Sequence, residues 1–261
     1  IQGALSATIE EGSWISTSYL VAEIIIIPLA AWLTTIFSPR RFAVGISTLF
    51  VLASLLCSMA WNLESMIVFR ALQGLAGGAL IPFAFTLILT KLPPASRPKG
   101  MAMFAITATF APSIGPTIGG WLTENFGWEY IFYINIVPGI LMASGLMYGL
   151  DKAAPRWELL RQGDYFGIAT MAAGLGCLQV FLEEGHREDW FESSAMVTLA
   201  VVSFISLVCL HVYIVFACIP ADIHLYTHID THKCGRLIIF VIEPSFYFYQ
   251  PISVVCVYVY I

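Results

Sequence analysis

The chain has 261 residues, of which 59% are hydrophobic and 11% charged, with a formal net charge of -5. Soluble domains carry roughly 25% charged residues, so this composition, with a mean hydropathy of +0.83, excludes an ordinary water-soluble globule. It points to an all-α integral membrane protein whose first partner is the lipid bilayer. The six cysteines show no C-x-x-C or zinc-like spacing, which argues against a disulfide scaffold or a metal ribbon. No metal, cofactor or nucleic-acid partner is expected.

The chain opens on a polar, small-residue stretch from Gln2 to Ser13, without an initiator Met or a signal-peptide pattern. Crossing the hydrocarbon takes about 20 apolar residues. Seven segments meet that length, at residues 14–37, 42–61, 63–89, 100–122, 131–150, 165–182 and 194–216. The first holds Glu23 in the middle of an apolar run ending at Pro28. An acid at that depth is a candidate for proton uptake and release, or for a hydrogen bond that glues two helices.

The third segment holds Arg70 about seven residues in, roughly 10 Å from its end at 1.5 Å per residue. An intramembrane guanidinium is costly and normally faces a cavity or a carboxylate. Gly74 and Gly78 follow at i+4 and i+8 on the same face, where a second helix backbone can approach closely. The fourth segment ends in Ala111-Pro-Ser-Ile-Gly-Pro-Thr-Ile-Gly-Gly-Trp-Leu122. Gly115 and Gly119 share a helical face bordered by Gly120, giving a second bare seam. Pro112 and Pro116 each remove a backbone bond, so a bend is expected there, tolerable only inside a protein bundle. Pro28, Pro82 and Pro138 read as kinks or helix ends.

Lys and Arg alternate from one connection to the next. Arg40 and Arg41 lie in one loop, Lys91, Arg97 and Lys99 in another, and Lys152, Arg156 and Arg161 in a third. The intervening loops are neutral or acidic: 62–64, 123–129, and 183–189, where Arg187 is the basic residue. Basic loops stay cytoplasmic, so the first segment enters from outside and each later loop follows. The third basic loop, 151–163, carries Trp157, Leu159 and Leu160, and reads as an amphipathic surface helix or a plain linker.

These motifs carry a resemblance. Gly-Pro-x-x-Gly-Gly at 115–120, with Trp121-Leu-Thr-Glu-Asn-Phe-Gly-Trp128 and Ile131-Phe-Tyr-Ile-Asn135 after it, resembles the antiporter motif of the major facilitator superfamily. The branch it looks like is the fourteen-helix drug–proton antiporters of the multidrug-resistance protein B type. Ala111 and Ala102 stand where that family usually has glycine, and Glu129 where it commonly has arginine. Phe69-Arg-Ala-Leu-Gln-Gly74 is similar to the fourth-helix motif R-x-x-Q-G, so the resemblance implies a proton-coupling role for Arg70. Ser38-Pro-Arg-Arg-Phe42 sits where the family places its gating motif; the paired arginines Arg40 and Arg41 are present, while the acid and leading glycine are not. The segment from Gly163-Asp-Tyr-Phe-Gly167 to Asp189-Trp-Phe191 resembles the branch's extra pair of central helices.

The resemblance implies a major-facilitator-type helix bundle, here an N-terminal bundle lacking its first helix plus two central helices. Residues 1–150 would hold helices two to six, 151–163 a cytoplasmic loop, 164–217 the two linker helices, and 218–261 a tail of uncertain origin. It further implies proton-coupled multidrug efflux of amphipathic or aromatic compounds by alternating access, in the bacterial inner membrane, with a periplasmic adaptor protein as a partner. The expected function belongs to a longer parent protein, and the alternative is a non-transporting truncated remnant. An intramembrane hydrolase built on Met142-Ala-Ser-Gly145 lacks a nearby histidine within the main helices.

The resemblance ends near Phe216. Beyond it, His224, His228 and His232 fall at i, i+4 and i+8 with Cys234 nearby, a spacing that suits a transition metal but that a tail of altered composition also produces. A last apolar run, 237–261, is broken by Glu243 and Pro244.

Overall fold

Three of the membrane-length helices begin where a short polar side chain captures the first free amides. In this computed structural model, which describes residues 7–225, Thr8 caps helix α1 (Ile9–Phe37) by accepting from the Glu11 amide. The Glu11 carboxylate accepts from the Thr8 amide in return, closing a capping box. Asn62 and Ser65 form the same reciprocal pair at the start of α3 (Leu63–Lys91), and Asp164 caps α8 (Tyr165–Glu184) through the Gly167 amide. Between them run α2 (Pro39–Ser58), α4 (Arg97–Asn125), the short α5 (Tyr130–Tyr133), α6 (Ile136–Gly149) and the single turn α7 (Glu158–Arg161); α9 (Ser194–Leu225) follows α8. No strand occurs among the described residues.

Seven stretches among the described residues are long and apolar enough to cross a membrane, and each contains most or all of one of the seven segments read from the sequence. Two local details differ. The segment expected at 131–150 is interrupted at Ile134 and Asn135, splitting it into α5 and α6. Pro138 has no amide to give the Ile134 carbonyl, so it suits the first turn of α6 and not the interior of a longer helix. The candidate surface helix at 151–163 shrinks to the one turn of α7. The side chains of His224, His228, His232 and Cys234 lie outside the described part, as does the run 237–261.

Helix α1 is the axis of the bundle, packed against α3, α2 and α8. Ile15 meets Arg70, Tyr19 meets Gly74, and Glu23 meets Gly78. Contacts that rise together in both helices mean that α1 and α3 run parallel. Helix α2 runs antiparallel to α3, because Phe42 packs on Phe83 at one end while Ser54 bonds Gln73 and Trp61 packs on Phe69 towards the other. Helix α8 is antiparallel to α1: Glu184 meets Thr17, Gly176 meets Val21 and Ile25, and Gly163 meets Trp32. Helix α9 folds back on α8, its Ser203 hydroxyl donating to the Gly174 carbonyl.

The approach of α1 to α3 is very close. A Cβ at Gly74 would strike the Tyr19 carbonyl, and one at Gly78 would come within 2.7 Å of the Glu23 carbonyl oxygen. Helix α4 is the opposite case. It continues unbroken through Pro112 and Pro116 and has no buried residue, so it stands at the edge of the described bundle.

Candidate functional site

Arg70 lies at the centre of a polar network between α1, α2 and α3. Its Nε donates to the Ile15 carbonyl at 3.2 Å, and Nη1 donates to Gln73 Oε1 at 2.8 Å. The guanidinium carbon sits 4.5 Å from the Tyr19 ring centroid and 5.9 Å from that of Phe132, so two aromatic faces share its charge. Gln73, only 2% exposed, passes the network on: its Nε2 donates to Ser54 Oγ at 2.7 Å, and Ser54 donates to the Phe50 carbonyl at 2.8 Å. The Cys57 thiol also points at Gln73 Oε1, 3.9 Å away. Among the described residues, no carboxylate forms an ion pair with Arg70.

Glu23 lies one helical turn past Tyr19 on the same face of α1, with its backbone against Gly78. Its carboxyl makes no hydrogen bond or ion pair among the described residues. The structure therefore brings Arg70, Glu23, Gly74 and Gly78 to one α1–α3 seam. Arg70 is thus a part-buried guanidinium held by a carbonyl, an amide oxygen and two rings, with Glu23 unpaired further along the same seam at the level of Gly78.

The glycine seam of α4 is set differently. Nothing lies within 4 Å of a Cβ built on Gly115, Gly119 or Gly120, so the bare face with Pro112 and Pro116 is unoccupied among the described residues. Arg40 and Arg41 open α2, and neither side chain has a hydrogen-bond or ion-pair partner among the described residues.

The three basic connections gather at one end of the bundle. Lys91 donates to Asp151 at 2.8 Å, and this bond holds the Asp151 carboxyl below its ordinary range. The Arg156 amide donates to the Ile36 carbonyl at 2.7 Å, and Trp157 packs edge-on against Phe37 with centroids 5.3 Å apart.

At the other end the structure shows a polar site that the sequence reading passed over. Glu184 is 4% exposed. Its carboxylate accepts from Ser13 Oγ at 3.0 Å, from Thr17 Oγ1 at 2.7 Å and from Arg187 Nη1 at 3.2 Å. A cavity of about 400 Å³ beside it is bordered by Glu11, Trp14 and Met196. In the sequence Glu184 looks like one more acid in an outer loop; only the antiparallel packing of α8 on α1 shows that it is buried. Gln73 was within reach of a sequence argument, since i+3 from Arg70 shares its face.

The sequence profile of the Major Facilitator Superfamily matches residues 1–242, running past the Phe216 boundary read from the motifs. The chain is 40% identical over 196 residues to the colistin resistance protein EmrB of Acinetobacter baumannii, covering 75% of this chain and 38% of that protein. It is 36% identical over 216 residues to the multidrug export protein EmrB of Haemophilus influenzae, covering 82% and 42%. It is 38% identical over 216 residues to the fatty acid resistance protein FarB of Neisseria gonorrhoeae, covering 83% and 42%. The chain thus spans about two-fifths of the length of these relatives.

Proposed function

This chain belongs to the major facilitator superfamily, a family of membrane transporters, and on that premise we propose that it forms part of a proton-coupled exporter of amphipathic compounds working by alternating access. It is a multi-pass protein of the bacterial inner membrane. The relatives' names speak of colistin, of multidrug export and of fatty acids; the chemistry common to colistin and fatty acids is an apolar body with a charged head, and that is the proposed substrate class. A periplasmic adaptor protein is the proposed partner for release beyond the inner membrane.

The observation that carries the reading is the Arg70–Gln73–Ser54 network on the same α1–α3 seam as the unpaired Glu23. A charge this costly inside lipid is retained for work, as a rule. Proton binding at Glu23 alters what Arg70 faces across the seam where α1 and α3 touch, and a small shift there tilts one helix against the other. In such folds two pseudo-repeated bundles rock about a midplane site, and the free seam at Gly115, Gly119 and Gly120 is the face offered to a second bundle.

The test uses the full-length protein that contains this chain, reconstituted in vesicles, with export driven by an imposed pH jump. Arg70→Ala and Glu23→Gln are each expected to abolish the pH-driven component while substrate still binds. Wild-type dependence on the pH jump in both variants would remove this pair from the coupling mechanism.

A further inference from the structure

We propose that the N-terminus of α2 is a binding site for an anionic phosphate group at the basic end of the bundle. The turn into this helix is strained. Ser38 has φ 73° and ψ 148°, a region that favours glycine and costs a residue with a Cβ. It is only 3% exposed, and its Oγ has no hydrogen-bond partner among the described residues. A buried hydroxyl left unpaired is costly, and as the N-cap residue Ser38 carries it at the mouth of the helix.

The rest of the first turn offers more donors and no acceptor. The Ser38 side chain makes no capping bond. Pro39 has no amide, and the Phe42 amide is already given to the Ser38 carbonyl at 3.0 Å. That leaves the amides of Arg40 and Arg41 as the free donors that every helix start presents. The side chains of the same two residues add two unpaired guanidinium groups, and the first turn holds no acid. Two cations at the positive end of a helix dipole repel it and each other. An anion reverses the sign of all these terms at once.

Phosphate fits best among anions because planar guanidinium forks match its oxygens and helix amides point at it. The Arg156 amide is tied to the Ile36 carbonyl, two residues before Ser38, and Trp157 packs beside it on Phe37, so the third basic connection meets the same corner. A phosphate at the membrane surface comes either from a lipid headgroup or from solution.

The experiment titrates the detergent-solubilised chain with phosphatidylglycerol, read by native mass spectrometry, and separately with inorganic phosphate, read by calorimetry. One saturable site is expected in at least one arm. A site in the lipid arm alone assigns a headgroup, and a site in the phosphate arm assigns a soluble anion. Arg40→Gln with Arg41→Gln is expected to weaken binding about ten-fold, the size of a lost hydrogen bond to a charged group. Ser38→Gly, which relieves the backbone strain and so keeps the fold, is expected to weaken it several-fold, while Lys152→Gln at the same end leaves it unchanged. The proposal is overturned by the absence of a saturable site in both arms. It is equally overturned if Ser38→Gly has wild-type affinity, or if Lys152→Gln weakens binding as much as the paired arginine change.

Discussion

Glu184 and Arg70 solve the same problem in opposite ways. Each is a charge within the bundle, but Glu184 collects two hydroxyl donors and a guanidinium, whereas Arg70 makes do with a carbonyl, an amide oxygen and ring faces. The first arrangement is a fastening. Thr17 is fully buried, so removing its acceptor leaves a hydroxyl with nothing to donate to. Glu184→Ala is therefore expected to cost about 1.5–3 kcal/mol, the range for hydrogen bonds to a charged group, while Glu184→Gln keeps an acceptor and loses less. Thermal unfolding in detergent checks this, and equal melting temperatures for the alanine variant and the parent would refute it. Arg70 was legible from the sequence because a lone cation in an apolar run cannot be overlooked. Glu184 was not, because it sits at the end of its apolar segment beside Glu183 and Glu188, and burial at a helix end depends on which neighbour arrives.

Between helices, the two glycine seams make contrasting demands. Gly74 and Gly78 are filled by the backbone of α1, with no room for a Cβ; Gly115, Gly119 and Gly120 have no neighbour among the described residues. The same four-residue spacing announced both in the sequence, since small residues at that interval are how helices approach in lipid. Spacing cannot say which seam is occupied within the chain, for that depends on a partner helix. The difference is measurable. Gly78→Val is expected to destabilise the bundle by about 1–3 kcal/mol, the usual cost of overpacking. Gly115→Leu is expected to leave insertion and melting within about 0.5 kcal/mol, as for other changes away from contacts, yet to abolish export by the full-length protein. Normal export by the Gly115→Leu variant would exclude that face from any moving interface. Similar melting losses in both variants would mean that α4 is packed more tightly than its open seam indicates.

Across the whole molecule, the parallel run of α1 and α3, with α2 and α8 antiparallel to α1, requires connections that alternate between two ends. The basic loops read from the sequence do fall together, joined by the Lys91–Asp151 pair and by the Arg156 and Trp157 contacts with the end of α1. This level was legible early because charge alternation is a property of the chain in one dimension. The neighbours of α1 were not, since apolar side chains gain little by choosing a helix over lipid; the placement of α8 rests on Glu184, Gly176 and Gly163 meeting particular residues of α1. The excess of Lys and Arg at one end predicts that this end is cytoplasmic, and sidedness can be measured directly. With the six native cysteines replaced by serine, single cysteines at Lys99 and Lys152 are expected to resist a membrane-impermeant maleimide in intact cells and to react after the membrane is opened. Cysteines at Glu124 and Glu188 are expected to react in intact cells, because their loops lie at the opposite end. Labelling of Lys99→Cys or Lys152→Cys from outside would invert the bundle. Arg40 and Arg41 would then face the periplasm, and any route for a proton past Glu23 would have to be drawn from the other side.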